Sequence, residues 1–155
     1  MQIMTSKEVD INIYDITYPC YVAGIPVDSQ RIIHIPGSFE YKYLEGIASY
    51  VVEGYKTKDK IYLFDVIPYN LWVQKVCKLS YEKRLKAVRQ ICTAQIADFS
   101  KVIDLDTVKI DNPHELTEYC ENLLTLGHVR ARILAADGHY VFGESNNGEL
   151  LELKL

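Results

Sequence analysis

An α+β fold with a mostly antiparallel sheet is what the sequence predicts, on three observations. Short tyrosine-rich and β-branched runs broken by turn residues fill the first third, helical periodicity takes over from Ser80, and strand-like runs return in the tail. A length of 155 residues with 48% hydrophobic content suits one core. No repeat, linker or composition boundary interrupts it, so 1–155 is expected to be a single domain.

Taken in order, Ile11 to Ile16, Tyr21 to Ala23 and Gln30 to Ile35 read as short strands, the last stopped by Pro36-Gly37. Residues 39–56 carry Phe39, Tyr41, Tyr43, Tyr50 and Tyr55 with partial alternation, which fits strand and short helix alike. Lys56 to Lys60 is a charged turn. The apolar run Ile61 to Ile67, halted by Pro68, reads as a central strand buried on both faces. From Ser80, an N-cap, the residues Tyr81, Leu85, Val88, Cys92 and Ile96 recur at helical spacing and predict a helix over about 80–97. Val102 to Ile110 alternates as one strand. Asn112, Pro113 and Glu115 then supply a cap, a first-turn proline and a capping-box acid for a second helix over about 113–126, ended by Gly127. Arg130 to Ala135, Tyr140 to Phe142 and Leu150 to Leu155 read as hairpin strands about turns at Asp137-Gly138 and Asn146-Asn147-Gly148.

Composition narrows the function. No apolar run is long enough to cross a bilayer, and the N-terminus lacks the charged and apolar regions of a leader, so no membrane contact and a cytoplasmic location are expected. Cys20, Cys77, Cys92 and Cys120 lack metal-knuckle spacing and read as reduced core thiols. A net charge of −4 offers no global attraction to a phosphate backbone. His34, His114, His128 and His139 show no ligand spacing, so no metal site is expected. The motifs of serine hydrolases, P-loop enzymes and dinucleotide folds are absent. Asp104 and Asp106 would share a face of one strand, an arrangement as compatible with an exposed edge as with an acid–base dyad.

One resemblance carries further. Tyr18-Pro19-Cys20-Tyr21-Val22, followed by Pro26-Val27-Asp28-Ser29-Gln30-Arg31, resembles the segment "YPVYVQPKLDGIR" of ATP-dependent DNA ligases, with extra residues in the turn. Ile61 to Pro68 is similar to their "hvFDvlp" strand, and Tyr81-Glu82-Lys83-Arg84-Leu85 to the "YxxRL" helix start. Leu124 to Leu134 lies where the family has "xxxGyEGvmiK", and Tyr140 to Lys154 resembles its closing "Y…GRS…LLKxK". The motifs keep the family's order from about Tyr18 to Lys154, although the stretch between the first motif and the Phe-Asp strand is much shorter than in a ligase adenylation domain. The resemblance implies a reduced nucleotidyltransferase-like domain.

It also implies lost chemistry. The family's lysine attacks the α-phosphorus of ATP, and here that position is Pro26, which has neither a nucleophilic side chain nor a backbone donor. The glycine after the aspartate is Ser29. The "DGE" element, if it survives as Glu53-Gly54-Tyr55, ends in tyrosine instead of a carboxylate. The motif glutamate falls at Val129, its lysine at Leu134, and one of the terminal lysines is Glu152, leaving Lys154. Asp28, Arg31, Phe64 and Lys154 are, by resemblance, the remaining candidate nucleotide-binding residues, Phe64 facing the adenine and Arg31 the ribose. Phe64 equally fits a plain core position, and Asp28 with Arg31 a surface ion pair. The chain ends just after the last motif, so the OB domain with which these ligases clasp duplex DNA is expected to be absent and duplex binding is not expected.

These departures predict a catalytically inactive relative, without a cofactor, that acts by binding a protein partner as an inhibitor or decoy, a role suited to a virus or phage. Tyr41, Tyr43, Tyr50 and Tyr55, taken as exposed, are the expected contact patch, with core packing as their bland alternative. Two other readings stay open: a nucleotide sensor or sponge using a remnant purine pocket around Phe64, and an active nucleotidyltransferase with a displaced lysine from among Lys42, Lys56 and Lys58.

Overall fold

The computed structural model describes residues 2–5, 12–38, 40–94, 101–140, 142 and 150–154. Backbone contacts group the chain into two compact units, one of Met1–Val27 with Asp106–Leu155, the other of Asp28–Leu105. The chain therefore leaves the first unit after Val27 and returns to it at Asp106.

The discontinuous unit contains a five-stranded antiparallel sheet. Its order is β1 (Gln2–Thr5), β9 (Leu150–Lys154), β8 (Arg130–Ala135), β2 (Cys20–Gly24) and β7 (Thr107–Ile110). Helix α3 (Pro113–Thr125) contributes Leu116, Cys120 and Leu123 to a core with Cys20 and Val22 of β2, Ala131 and Ile133 of β8, and Ile110 of β7, the β2 and β8 residues alternating along one face of each strand. The cap is built as the sequence predicts. Asn112 Oδ1 accepts from the Glu115 N–H at 3.0 Å, and the Glu115 carboxylate accepts from the Asp111 N–H at 2.9 Å. At the other end Gly127 takes a left-handed φ of +94°, and the His128 N–H closes on the Leu123 carbonyl at 3.0 Å.

The continuous unit holds a four-stranded sheet ordered β3 (Gln30–His34), β4 (Tyr50–Lys56), β5 (Ile61–Pro68) and β6 (Val102–Asp104). Its pairings are antiparallel except β5 with β6, which are joined through α1 (Tyr69–Gln74) and α2 (Tyr81–Thr93) and run parallel. As expected, β5 is buried along nearly its whole length. Helix α2 is capped by Ser80 Oγ, which accepts from the Lys83 N–H at 3.3 Å. Its buried side is locked to β5 by polar contacts. Arg84 Nε reaches Asp65 Oδ1 at 2.9 Å and its Nη2 reaches Oδ2 at 3.3 Å, while the Tyr81 hydroxyl donates to the Phe64 carbonyl at 2.8 Å.

The α+β class, the antiparallel-rich sheets and both main helices are thus as expected, with α2 ending at Thr93 and residues 95–100 outside the described residues. Several elements differ. Within the run read as a strand from Ile11, Ile13–Asp15 is a 3-10 turn capped by Asn12, whose side chain competes for the Tyr14 N–H, and Ile11 is not described. The ambiguous stretch becomes a 3-10 turn at Lys42–Leu44 followed by β4, with Phe39 outside the described residues. The strand expected from Val102 to Ile110 breaks at Leu105 and Asp106. Leu105 donates its N–H to Leu63 at 2.8 Å on the β5 side, and the chain then crosses to pair with β2. Alternation was continuous there, but the hydrogen-bonding partner changed. Asp104 and Asp106 therefore share no strand, and both are exposed. Tyr140 and Phe142 lie outside any strand, their rings meeting edge to face at 5.1 Å. The turn read at Asn146-Asn147-Gly148 lies outside the described residues.

Candidate functional site

The candidate site in the Asp28–Leu105 unit is built from the registers of β3, β4 and β5. Arg31 lies opposite Tyr55, and Ile33 opposite Glu53, so Glu53 and Tyr55 share one face of β4. Between β4 and β5 the register slips: Glu53 faces Asp65 while Gly54 faces Leu63, which leaves Phe64 as the extra residue of a bulge. Gly54 is required at this place, because a Cβ there would sit 2.7 Å from the Tyr62 carbonyl oxygen. The bulge brings the Phe64 ring to 5.0 Å from the Tyr55 ring at a tilt of 38°. The Arg31 guanidinium carbon lies 5.6 Å from the Phe64 ring centroid, and Arg31 Nη2 donates to Glu53 Oε2 at 2.6 Å.

Arg31 and Phe64, two of the residues singled out by resemblance, are therefore neighbours. Phe64 is only 1% exposed, with Tyr55 and Arg31 packed against it. Glu53, also 1% exposed, takes the charge of Arg31 into a short charge-assisted bond. Asp28 stands apart: it is exposed, in a turn with a left-handed φ of 58°, and Arg31 pairs with Glu53 in place of the expected surface partner. Glu53 was visible beforehand only within the Glu53-Gly54-Tyr55 run, and its role as the buried partner of Arg31 depends on a strand pairing 22 residues distant.

In the discontinuous unit, Pro26 follows the end of β2 and is half-buried. The backbone just before it is pinned. Ile25 donates its N–H to the Arg130 carbonyl at 3.0 Å, and His128 Nδ1 lies 3.2 Å from the Ile25 carbonyl. The His128 ring packs so close to Gly24 that a Cβ there would come within 2.8 Å of it. The sequence offered His128 only as a histidine without ligand spacing. Val129 is exposed and Leu134 buried in β8, so neither presents a charge where the motifs have one. In β9, Lys154 is in register with Arg130 and Gln2, and Glu152 with Arg132 and Met4.

The tyrosine patch does not assemble as expected. Tyr55 is 4% exposed against Phe64, so it has no area to offer a partner. Tyr50 is half-buried on the face of β4 opposite Tyr55, and Tyr41 is half-buried with its ring edge-on to His34 at 6.5 Å. Tyr43 lies in the 3-10 turn. Alternation along β4 settles the point, since five residues separate Tyr50 from Tyr55 and an odd spacing reverses the face.

Other reactive groups are quiet. All four cysteines are free and buried, and burial pushes the thiols of Cys20, Cys92 and Cys120 up to about 12, far from thiolate chemistry. Among the described residues no cluster of histidine, cysteine and acid side chains could hold a metal ion, and no helix is long and apolar enough to cross a membrane.

No protein-family model matches the chain, and no curated protein does. Solved structures do. The structure named Pmar-Lig_PreS3 superposes with a TM-score of 0.61 at 14% identity, over 99% of this chain and 42% of that one. Chlorella virus DNA ligase-adenylate superposes with a TM-score of 0.52 at 22% identity, over 87% of this chain and 61% of that one. The chain thus spans about half the length of the structures it matches. At such identities the likeness is one of fold alone: this chain has a DNA ligase-like fold, as the order of its motifs implied.

Proposed function

We propose that this protein is a ligase-like fold without ligase chemistry, which acts by binding a protein partner as an inhibitor or decoy, in keeping with a viral or phage origin. The observation that carries the reading is Pro26 in the place of the attacking lysine. Phosphoryl transfer depends on positioning and on positive charge around the developing oxyanions. Val129, Leu134 and Glu152 stand where the motifs have a carboxylate and cations, so the loss extends beyond one residue.

The lysines that a displaced mechanism would need give it little support. Lys56 Nζ donates to the Thr57 carbonyl at 3.2 Å, and strand alternation turns Lys56 to the face opposite Glu53 and Tyr55. Lys58 lies in the turn between β4 and β5, and Lys42 is exposed in its 3-10 turn. The packing of Phe64 weighs against a remnant purine pocket as well, because a base could stack on that ring only after Arg31 or Tyr55 had moved.

Labelled ATP with magnesium tests the catalytic half of the proposal: no covalently labelled band is expected on a denaturing gel, and a band would overturn it. The binding half is tested by affinity capture from the native cell followed by reconstitution with the purified candidate. A stoichiometric complex is expected, and a protein that forms none with any captured candidate would refute the decoy role.

A further inference from the structure

In the Asp28–Leu105 unit, helix α1 differs from α2 and α3 in one respect. None of its residues is buried, although Tyr69, Leu71, Trp72 and Val73 make it largely apolar. Tyr69 and Val73 stand one turn apart on one face, and Val73 is 61% exposed. Val76, just past the helix, is 50% exposed. Single apolar residues scattered over a surface are ordinary, but Tyr69, Val73 and Val76 gather around one short helix, and covering them would release apolar area from water.

The end of α1 carries a residue that its backbone does not call for. Lys75 adopts a left-handed conformation, φ 57° and ψ 36°, where glycine is usual because Cβ crowds the carbonyl oxygen that follows. The turn is otherwise complete: the Lys75 N–H reaches the Trp72 carbonyl at 3.1 Å and the Val76 N–H reaches the Leu71 carbonyl at 3.2 Å. Glycine would close the same turn with less strain. What lysine adds is its side chain, which is exposed.

That charge has company. Lys78 is exposed in the connection to α2, and Lys83 and Lys86 are exposed one turn apart on α2 itself. None of these four lysines makes an ion pair with a described residue. Between Tyr69 and Thr93 the sole acidic residue is Glu82, in a chain whose net charge is −4. Arg84, paired with Asp65, also donates to the Leu79 carbonyl at 2.6 Å and so holds the connection against α2. A surface that is positive and apolar is complemented by one that is negative and apolar. A phosphate backbone would satisfy the lysines and leave the valines uncovered. A bilayer needs a longer apolar face than α1 presents, about 9 Å from end to end.

We infer that the corner formed by α1 and its connection to α2 docks an acidic polypeptide segment that carries apolar side chains. Its carboxylates face Lys75 and Lys78, and its apolar side chains cover Val73 and Val76. The inference rests on the proposal that this chain acts by binding a protein, and it adds the surface and the chemistry of the partner.

Trp72, the chain's single tryptophan, is half-buried in α1 and reports on this corner. The probe is a capped hexapeptide of alternating glutamate and leucine, titrated into the whole chain while tryptophan emission is followed. A saturable shift is expected, with a dissociation constant on the order of a hundred micromolar. Raising salt from about 50 to about 500 mM should weaken it several-fold. Peptides with serine for leucine, or lysine for glutamate, should bind at least about tenfold more weakly. Lys75→Gly separates folding from binding: the urea midpoint should rise as the strain is relieved, while peptide affinity falls about fivefold. Val73→Ser, at an exposed position, should erase the preference for leucine over serine. No saturable response to the peptide, whether or not phosphatidylserine vesicles give one, would overturn the inference. So would unchanged affinity in Lys75→Gly, or a thymidine tetranucleotide of equal charge that binds as tightly. A partner obtained by the capture and reconstitution above should lose more than about tenfold in affinity for the double variant Val73→Ser with Lys75→Gly. A complex that survives this variant overturns the surface and leaves the protein-binding proposal standing, whereas a native chain that forms no complex with any candidate removes both.

Discussion

Arg31 shows how a single residue's role depends on where its charge can go. Its guanidinium has a carboxylate at 2.6 Å and an aromatic ring at 5.6 Å, so it is already engaged. Arg84 is the more deeply buried cation: burial lowers its proton affinity, but the charge and hydrogen bonds of Asp65 more than offset this and keep it protonated. Replacing one member of that pair leaves the other charge buried alone. Arg84→Ala and Asp65→Ala should each cost about 3–5 kcal/mol in urea unfolding, and joint replacement by apolar residues of similar volume should cost much less. His34 gives the pH dependence. Its folded proton affinity is lowered, chiefly by burial, so the unfolded chain binds the proton more readily. Its contribution to stability is therefore complete above the ordinary value of 6.5 and declines as pH falls below it toward the lowered folded value. Unfolding midpoints measured from pH 8 down to 5 should fall across that range, and His34→Phe should flatten the decline.

At the scale of elements, local signals and close packing divide the work. Ser80 and Asn112 each satisfy an N–H that the first turn of a helix leaves without an internal partner. Ser80→Ala and Asn112→Ala should each lower stability by about 1 kcal/mol in denaturant unfolding. The bulge in β5 is less forgiving. A methyl group at Gly54 would press on the Tyr62 carbonyl oxygen at 2.7 Å, on backbone that cannot turn aside as a side chain would. Gly54→Ala should cost about 1–3 kcal/mol and alter the near-ultraviolet signal of Tyr55, whose position depends on the bulge. Unchanged stability would show that β4 and β5 can repair the register without glycine.

For the molecule as a whole, the proposed absence of ligase chemistry predicts that adding one group will not create an activity that needs several. Pro26→Lys returns an amine to the motif position but leaves Val129, Leu134 and Glu152 unchanged, so labelled ATP should still give no adenylated protein. ATP, NAD and cyclic nucleotides should likewise leave the melting temperature unmoved. A ligand at a hundred times its dissociation constant would stabilise the fold by about 2.7 kcal/mol, which a melting curve detects readily. Much of this architecture was legible beforehand: the caps at Ser80 and Asn112, the buried run from Ile61 to Ile67 and the order of the ligase-like motifs are all local patterns, and local patterns survive in one dimension. The proline at position 26, on which the proposal of an inactive relative rests, is likewise read from identity at one position. Tertiary structure alone decided that Arg31 pairs with Glu53, that Tyr55 is buried beside Phe64, and that the chain from Val102 to Ile110 divides between two sheets. Those outcomes turn on which strand lies next to which, and an alternating run carries the same period whichever neighbour receives its hydrogen bonds.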